Sequence, residues 1–457
     1  MAILLFQLAI TWIISVYHLG VFPKPDITNE SVIQKAEWYS KEKYKVNQLL
    51  LFGSPYNRGK EQGRLTSGLM YRQEEQLNKM FKSFFPTKFY QQLFVVASSR
   101  WFWGIEKYFD DWMLKEMLGV SEYSSNKFND LAEPFTRQVA YHGLHEVGQA
   151  FAGVENIDFG CTVFGINYKD NWVIGRNFDF EAGRIFDEEK IMKWVFPDKG
   201  YSYLSIVWAG MTGVVTGVNQ NGIYVSINAA GSSDFVRYGT PSTLVLTKVL
   251  QFAKDYSQAI EIIKNSQIFI TDIFILVDAK NKKAFRIEKS PKHTEIKEYE
   301  ENFAVTNHLV SERWSSDKVN LFRMKRLTTL NRLKRAENLL ISIRGRNFTG
   351  DRDVEFMLLT FLRDKRSVDG SKELALGDRN SIDALIATHS VIYNADRNTI
   401  YVSKGPSLVG EFIGFDLTRS FKQRQPVLKG SLPADTEVDT ATYYRTKDVI
   451  RAKNEKK

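Results

Sequence analysis

The chain has 457 residues, of which 43% are hydrophobic and 25% charged, and it carries a net charge of +9. The length is too great for one compact core, and the composition excludes a disordered chain, a collagen and a polytopic membrane protein. The 62 basic residues are interspersed with 53 acidic ones and form no stripe, so we expect no nucleic-acid partner. Cys161 is the only cysteine in the sequence, which excludes an intrachain disulfide and a thiolate-rich metal site.

Residues 1–22 carry no charged side chain and are mostly apolar. About 20 such residues span a bilayer core when they form a helix. The segment lacks the basic start and the clear cleavage site of a secretory signal. An uncleaved anchor, an atypical signal peptide and a buried first helix all stay open, and we expect a membrane-associated or exported protein of undetermined topology.

Residues 23–160 are predicted to form a helical region. Apolar residues recur at helical spacing in three stretches, Ser31–Leu50, Arg58–Phe85 and Leu131–Phe151.

After Asn156 the pattern changes to short strands separated by polar turns. Cys161–Tyr168 and Trp172–Phe180 are predicted to form a hairpin, and Asn221-Gly222 predicts a tight turn into the strand Ile223–Asn228. Further strands are predicted at Tyr201–Trp208, Val214–Val218, Ile273–Val277, Ala284–Glu288, Phe303–Thr306, Val391–Tyr393 and Ile400–Val402, and helices at Thr243–Lys264, Asp317–Leu340 and Val354–Leu362. Hairpins that alternate with helices favour an α+β domain over residues 161–430, with antiparallel sheets covered by helices. Residues 431–457 are predicted to be a basic surface tail.

The predicted hairpin brings a carboxylate toward the lone thiol. With its turn centred on Asp170, Cys161 faces Asp179, and directly opposed side chains lie about 4.5–5.5 Å apart on one face. Arg176 then points to the other face, unless a bulge at Gly175 intervenes. Asp179 is therefore the better supported neighbour of Cys161.

The motifs around Cys161 resemble those of amino-terminal-nucleophile hydrolases related to isopenicillin N acyltransferase and choloylglycine hydrolase. The resemblance starts from Gly160-Cys161-Thr162 and Gly175-Arg176-Asn177-Phe178-Asp179-Phe180. Further matches follow in order at Asn221-Gly222 leading to Asn228, Thr306-Asn307-His308, Ser315-Ser316 with Arg323 and Arg326, and His389-Ser390-Val391-Ile392-Tyr393 before Gly405-Pro406. An upstream stretch, Phe52-Gly53-Ser54-Pro55-Tyr56 with Gly59 and Gly63, resembles the precursor segment of the acyltransferase branch. The similarity extends roughly over residues 50–417.

This resemblance implies a four-layer αββα sandwich and self-cleavage at the Gly160–Cys161 bond. Cys161 would become a new amino terminus, whose α-amine, with a pKa of about 7.7–8.0, can take the proton of a thiol with a pKa of about 8.5. The family roles carry over as follows: Asp179 orients the amine, Arg176 tunes the charge at the thiol, Asn228 and Asn307 donate to the oxyanion, and Arg323, with Arg326 as a competitor, completes the pocket. No cofactor or metal is implied. Arg323, Arg326 and Arg332 also lie in a basic helical stretch whose simplest reading is a solvated face.

We therefore expect a thiol amidase or acyltransferase that cleaves a linear amide through a Cys161 acyl-thioester. The 32 Phe, 20 Tyr and 9 Trp favour a small-molecule substrate with a hydrophobic acyl group, and the two cleaved chains would stay together as a heterodimer. Two alternatives stay open. One is a papain-like cysteine protease that uses Cys161 and His308, although Cys161 lacks the expected helix. The other is a non-catalytic, membrane-anchored binding protein.

Overall fold

The structure is a computed structural model that describes residues 9, 22–30, 35–143, 159–181 and 183–454. Most of the hydrophobic segment 1–22 and the end of the predicted helix Leu131–Phe151 lie outside the described residues. Within them, no helix is both long and apolar enough to cross a membrane.

Helices and strands alternate along the described chain. The helices are α1 (Lys41–Tyr44), α2 (Pro55–Phe84), α3 (Lys88–Phe102), α4 (Asp111–Ser121), α5 (Pro134–His142), α6 (Ile185–Glu188), α7 (Ser242–Phe252), α8 (Tyr256–Asn265), α9 (Lys318–Arg326), α10 (Thr329–Ser342), α11 (Asp351–Leu362), α12 (Leu417–Gln423) and α13 (Thr440–Asn454). The strands are β1 (Ala36–Tyr39), β2 (Asn47–Gly53), β3 (Phe159–Tyr168), β4 (Asn171–Phe180), β5 (Ile191–Pro197), β6 (Tyr203–Val207), β7 (Thr216–Asn219), β8 (Ile223–Ala229), β9 (Asp272–Asp278), β10 (Lys283–Lys289), β11 (Thr294–Tyr299), β12 (Phe303–Val305), β13 (Ala387–Asn394), β14 (Thr399–Ser403), β15 (Phe412–Asp416) and β16 (Leu428–Leu432).

The described strands form two sheets. One sheet has nine strands in the order β1-β2-β5-β6-β7-β8-β9-β10-β11, and the other has seven in the order β12-β3-β4-β13-β14-β15-β16. Neighbouring strands run antiparallel, except that β2 is parallel to β5. The predicted antiparallel α+β class is confirmed.

The two sheets pack face to face between two layers of helices. Large buried side chains fill the space between the sheets, including Trp172, Trp194 and Tyr393. Helices α7 and α8 bury residues such as Val249 and Ile263 against the nine-stranded sheet, and α10 and α11 cover the seven-stranded sheet. Because burying each such side chain stabilises the fold by about 1.5–3 kcal/mol, these contacts hold the sheets and the helical layers together. The predicted four-layer αββα sandwich is confirmed.

The helical prediction for Ser31–Leu50 is wrong. Strand β1 and the first half of β2 lie in this stretch with only the four-residue α1 between them, and β2 lies buried between β1 and β5. Its continuous apolar run, Leu49–Phe52, is typical of a strand buried on both faces, which periodicity alone does not distinguish from a buried helix. The region before Cys161 therefore contributes strands to the larger sheet as well as helices such as α2.

The helical stretch predicted at Asp317–Leu340 breaks into two helices. Helix α9 ends at Arg326, Leu327 is extended, and α10 begins at Thr329. This break changes the direction in which the basic side chains of α10 point.

The carboxyl-terminal segment is ordered on the surface. It contributes the end of β16 and the helix α13, and it docks through the buried side chains of Val438 and Tyr443.

Candidate active site

The β3–β4 hairpin fixes the surroundings of Cys161. Lys169 and Asp170 form a two-residue turn with φ values of 52° and 61°, the left-handed pair typical of tight hairpins. The register pairs Cys161 with Phe178 and Gly160 with Asp179. The predicted opposition of Cys161 and Asp179 is therefore wrong by one residue, because the turn has two residues and is not centred on Asp170. A shift of one residue moves side chains to the opposite face of the sheet.

The side chain of Arg176 lies on the same face as the thiol, so its predicted placement on the other face is also wrong. Its Nη2 lies 3.9 Å from Cys161 Sγ. The guanidinium is fully buried and also donates to the Thr216 hydroxyl and the Ile227 carbonyl. Burial raises the pKa of the Cys161 thiol, and the charge of Arg176 opposes that rise. The thiol is therefore protonated at neutral pH in the uncleaved chain.

Asp179 lies on the opposite face, beside Gly160. Its Oδ2 is 2.9 Å from the position that a Cβ on Gly160 would occupy, so only glycine fits there without displacing the carboxylate. Burial raises the pKa of Asp179 to about 7, and the nearby Arg332 and Arg379 limit that rise. The carboxyl group therefore adjoins the residue that precedes the predicted cleavage point.

Asn307 and Arg332 hold the backbone of Cys161. Asn307 Oδ1 accepts a hydrogen bond from the Cys161 N–H at 2.7 Å, and its Nδ2 donates to the Ala229 carbonyl at 3.0 Å. Arg332 Nη1 donates to the Cys161 carbonyl at 2.7 Å and to Thr162 Oγ1 at 2.9 Å, while its Nη2 donates to Asn307 Oδ1 at 2.8 Å. One guanidinium thus fixes three acceptors around the nucleophile candidate.

Arg332, and not Arg323, contacts the backbone of Cys161. Arg323 donates to the Ala230 carbonyl at 2.7 Å and packs against Gly231, at the end of β8. Arg326, its predicted competitor, is exposed. Sequence reasoning placed Arg332 on a solvated face, whereas the side chain is buried. The direction of Arg332 depends on the break between α9 and α10. No glycine or proline marks this break, so the sequence contains no signal for it.

Asn228 lies at the same end of β8 and is completely buried. Its Nδ2 donates to the Thr306 carbonyl at 2.9 Å, next to Asn307, while its Oδ1 has no hydrogen-bond partner among the described residues. In the uncleaved chain the side-chain amides of Asn228 and Asn307 thus donate to main-chain carbonyls. These hydrogen bonds must break before either amide can donate to an oxyanion, as the family resemblance implies.

A family model described as acyl-coenzyme A:6-aminopenicillanic acid acyl-transferase matches residues 166–353. The match covers about two fifths of the chain and agrees with the resemblance to amino-terminal-nucleophile hydrolases that the motifs around Cys161 carry. The matched stretch begins after Cys161 and includes Arg176, Asp179, Asn307 and Arg332.

Three further comparisons describe what this chain resembles. An uncharacterized protein from Archaeoglobus fulgidus is 25% identical over 112 residues, which are 24% of this chain and 19% of that protein. The Caenorhabditis elegans orthologue of N-acylethanolamine-hydrolyzing acid amidase is 15% identical, with a TM-score of 0.33, over 52% of this chain and 93% of that chain. A variant of the conjugated bile acid hydrolase from Clostridium perfringens is 11% identical, with a TM-score of 0.38, over 61% of this chain and 100% of that chain.

An apolar cavity of about 160 Å³ lies against Phe178, and Cys161 itself is not among its lining residues. Phe178, the direct partner of Cys161 in the hairpin, lines it together with Trp208 and Phe186. Helices α2 and α5 close the other side with Leu77 and Tyr141. The cavity is thus one residue away from Cys161 across the hairpin.

His308 has other neighbours. Its Nδ1 lies 2.9 Å from Thr329 Oγ1, and it borders a larger groove of about 1050 Å³. Cys161 lies within a strand, whereas the papain-like arrangement requires a helix. Within the described chain, no three His, Cys, Asp or Glu side chains converge as they would around a metal ion.

Proposed function

We propose that the chain is an autoprocessing thiol amidase or acyltransferase with Cys161 as its nucleophile. The observation that carries this proposal is the arrangement at one peptide unit. Cys161 has Arg176 beside its sulfur, and Asn307 and Arg332 on its N–H and carbonyl. Asp179 stands against the preceding Gly160.

Self-cleavage begins with attack of the Cys161 sulfur on the Gly160 carbonyl carbon. The Gly160–Cys161 C–N bond breaks, its nitrogen takes up a proton, and Gly160 is held as a thioester on the sulfur. Water then hydrolyses the thioester, which leaves a carboxylate on Gly160 and a free α-amine on Cys161. Asn307 Oδ1, which accepts from this nitrogen in the intact chain, is placed to hold the amine that forms.

In the mature enzyme the α-amine takes the thiol proton, and Arg176 favours the resulting thiolate. The thiolate attacks the amide carbonyl of the substrate, the amine portion leaves with a proton, and an acyl-thioester remains. Water or an acceptor amine then removes the acyl group. Asn228 and Asn307 are proposed as oxyanion donors, each worth about 2.7–4 kcal/mol of barrier.

The apolar cavity beside Phe178 supports a hydrophobic acyl group. Phe178, Phe186 and Trp208 line this cavity, and aromatic walls favour apolar over charged groups. Short, charged acyl groups are therefore expected to be poor substrates.

The two products of self-cleavage are proposed to stay associated. Strand β2 from the first part pairs along its full length with β5 from the second. His142 Nε2 from the first part also accepts from the Thr212 N–H of the second at 2.9 Å. Membrane attachment or export through residues 1–22 is a further proposal.

Intact-mass analysis and amino-terminal sequencing of the purified protein test this function. We expect a fragment that begins at Cys161, its slower formation in Cys161→Ser and its absence in Cys161→Ala. The same sequencing reports whether residues 1–22 are removed. A hydrolysis screen over acyl amides, acyl amino acids and bile-salt-like conjugates then measures turnover by the processed protein.

An intact, unreactive chain would favour the binding-protein alternative. Fragments that form normally in Cys161→Ala would rule out the proposed nucleophile.

A further inference from the structure

Arg176 carries a buried charge among neutral partners. Its described hydrogen bonds go to the Thr216 hydroxyl, the Ile227 carbonyl and the Cys161 sulfur, and none of the described ion pairs includes it. A buried guanidinium without a carboxylate partner is costly, and a thiolate on Cys161 would relieve that cost. The position of the Arg176 guanidinium relative to the Cys161 sulfur therefore determines how strongly its charge favours the thiolate.

Thr216 connects this guanidinium to His389. Arginine only donates, so the Thr216 oxygen accepts from Arg176 Nη1 and its own proton is left for another acceptor. His389 Nε2 lies 2.9 Å from that oxygen and is the acceptor. The same nitrogen lies 3.5 Å from Arg176 Nη1. The geometry thus assigns the histidine proton to Nδ1.

His389 lies on the face that carries the thiol. In the pairing of β13 with β4, Ala387 opposes Asp179 and His389 opposes Phe178, so Thr388 is the extra residue. The pairs from His389 with Phe178 to Asn394 with Val173 share one register, so the bulge shifts Ala387 and leaves His389 opposite Phe178. The His389 ring stacks on Phe178 at 5.1 Å, and Phe178 is the hairpin partner of Cys161.

We propose that Thr216 and His389 are positioning residues that hold Arg176 against the Cys161 sulfur, an inference that rests on the proposed nucleophilic role of Cys161. The neutral imidazole accepts from Thr216, which orients the Thr216 lone pairs toward Arg176. Arg176 in turn favours the thiolate over the thiol. Neither Thr216 nor His389 touches the reacting atoms.

The surroundings of His389 keep it neutral, as this arrangement requires. Burial lowers the pKa of His389 well below its usual range, and the positive charges of Arg176 and Lys190 lower it further. Its Nδ1 has no hydrogen-bond partner among the described residues. A proton added at Nε2 would displace the Thr216 hydrogen bond.

Alkylation by iodoacetamide as a function of pH, read by mass spectrometry, tests the proposal because the sequence has a single cysteine. Thr216→Val removes the hydroxyl, and His389→Phe keeps a ring to stack on Phe178 but removes the acceptor. In both variants we expect the midpoint pH of alkylation to rise by about one unit and the rate at pH 7 to fall about tenfold. Thr216→Ser, which keeps the hydroxyl, should restore the wild-type midpoint.

Ser205→Ala is the matched control. Ser205 is buried on the neighbouring strand β6, and its hydroxyl has no hydrogen-bond partner in the described part of the chain. Its loss should leave the midpoint unchanged. Thr216→Ala gives the same readout if the valine variant does not fold.

An unshifted midpoint in folded Thr216 and His389 variants overturns this inference alone, whether or not their melting temperatures fall. A wild-type chain that neither cleaves itself nor reacts with iodoacetamide overturns the proposed function and this inference together.

Discussion

Gly160 and Asp179 are direct partners across the β3–β4 hairpin, and the Asp179 carboxylate occupies the space that any side chain on Gly160 would need. Contact with the Asp179 carboxylate therefore favours glycine as the residue before the predicted cleavage point. The peptide unit that we propose to be cleaved lies against the Asp179 carboxyl group, whose pKa is raised by burial.

Gly160→Ala should slow self-cleavage at least tenfold, because the new methyl group displaces the Asp179 carboxylate. The cost of such a displacement is at least about 1.4 kcal/mol, which corresponds to that factor. The appearance of the 161–457 fragment on denaturing gels measures the rate. Gly350→Ala is the control, because a Cβ there meets no atom within 4 Å. Equal rates for both variants would contradict the prediction.

Arg332→Lys should slow self-cleavage about 100-fold. A single ammonium group cannot replace the forked hydrogen bonds to Cys161, Thr162 and Asn307, and the loss of two such bonds costs about 3 kcal/mol. Arg323→Lys should cost less than about tenfold, since Arg323 donates to the Ala230 carbonyl instead.

The exposed Arg326 supplies the control for that pair, and Arg326→Lys should cleave at the wild-type rate. The prediction fails if Arg323→Lys proves slower than Arg332→Lys.

Asp179 should make the uncleaved chain lose stability as pH rises. An unfolded aspartate ionises near pH 3.9, whereas the folded pKa is about 7, so the folded chain binds the extra proton between those values. Its contribution is full below about pH 4 and is lost as pH rises to 7, a change of about 4 kcal/mol. Urea unfolding in a Cys161→Ala background, with and without Asp179→Asn, measures it.

The asparagine variant should therefore lose less stability than its parent between pH 4 and 7. Asp396→Asn, at an exposed position, should behave like the parent. Identical pH profiles for the parent and Asp179→Asn would show that the carboxyl group ionises normally.

His308→Gln should leave self-cleavage within about tenfold of the wild-type rate. His308 contacts Thr329 and acts at most indirectly, through the hydrogen bond from the Asn307 N–H to Thr329 Oγ1. In a papain-like enzyme the same change would remove the general base, at a cost of up to about 10⁶-fold. Fragment formation and substrate turnover both distinguish these outcomes.

The two fragments should co-elute from a sizing column in native buffer after cleavage. Strand β2 contributes a full row of main-chain hydrogen bonds to β5, and its side chains are buried on both faces. Denaturing gels of the eluted peak should show both fragments in equal amounts. Separation without denaturant would contradict the proposed heterodimer.

The sequence predicted most strands after Cys161 and the layered α+β class because alternating patterns and turn residues are local signals. The face on which Arg176 lies depends on whether the hairpin turn has two residues or three, because a shift of one residue moves the side chain to the other face of the sheet. Arg332 was missed because its direction depends on the unmarked break at Leu327. His389 appeared only as part of a motif, since its pairing with Phe178 depends on the register between β13 and β4, which are far apart in sequence.

The insertion of β2 beside β5 has a practical consequence for producing this protein. Residues 161–457 expressed alone would present β5 as an open sheet edge, with the buried side chains of Ile191 and Val195 uncovered. Such an edge is a template for aggregation. Recombinant protein should therefore be expressed as the full-length chain. The part before Cys161 is then present to cover β5 while the protein folds.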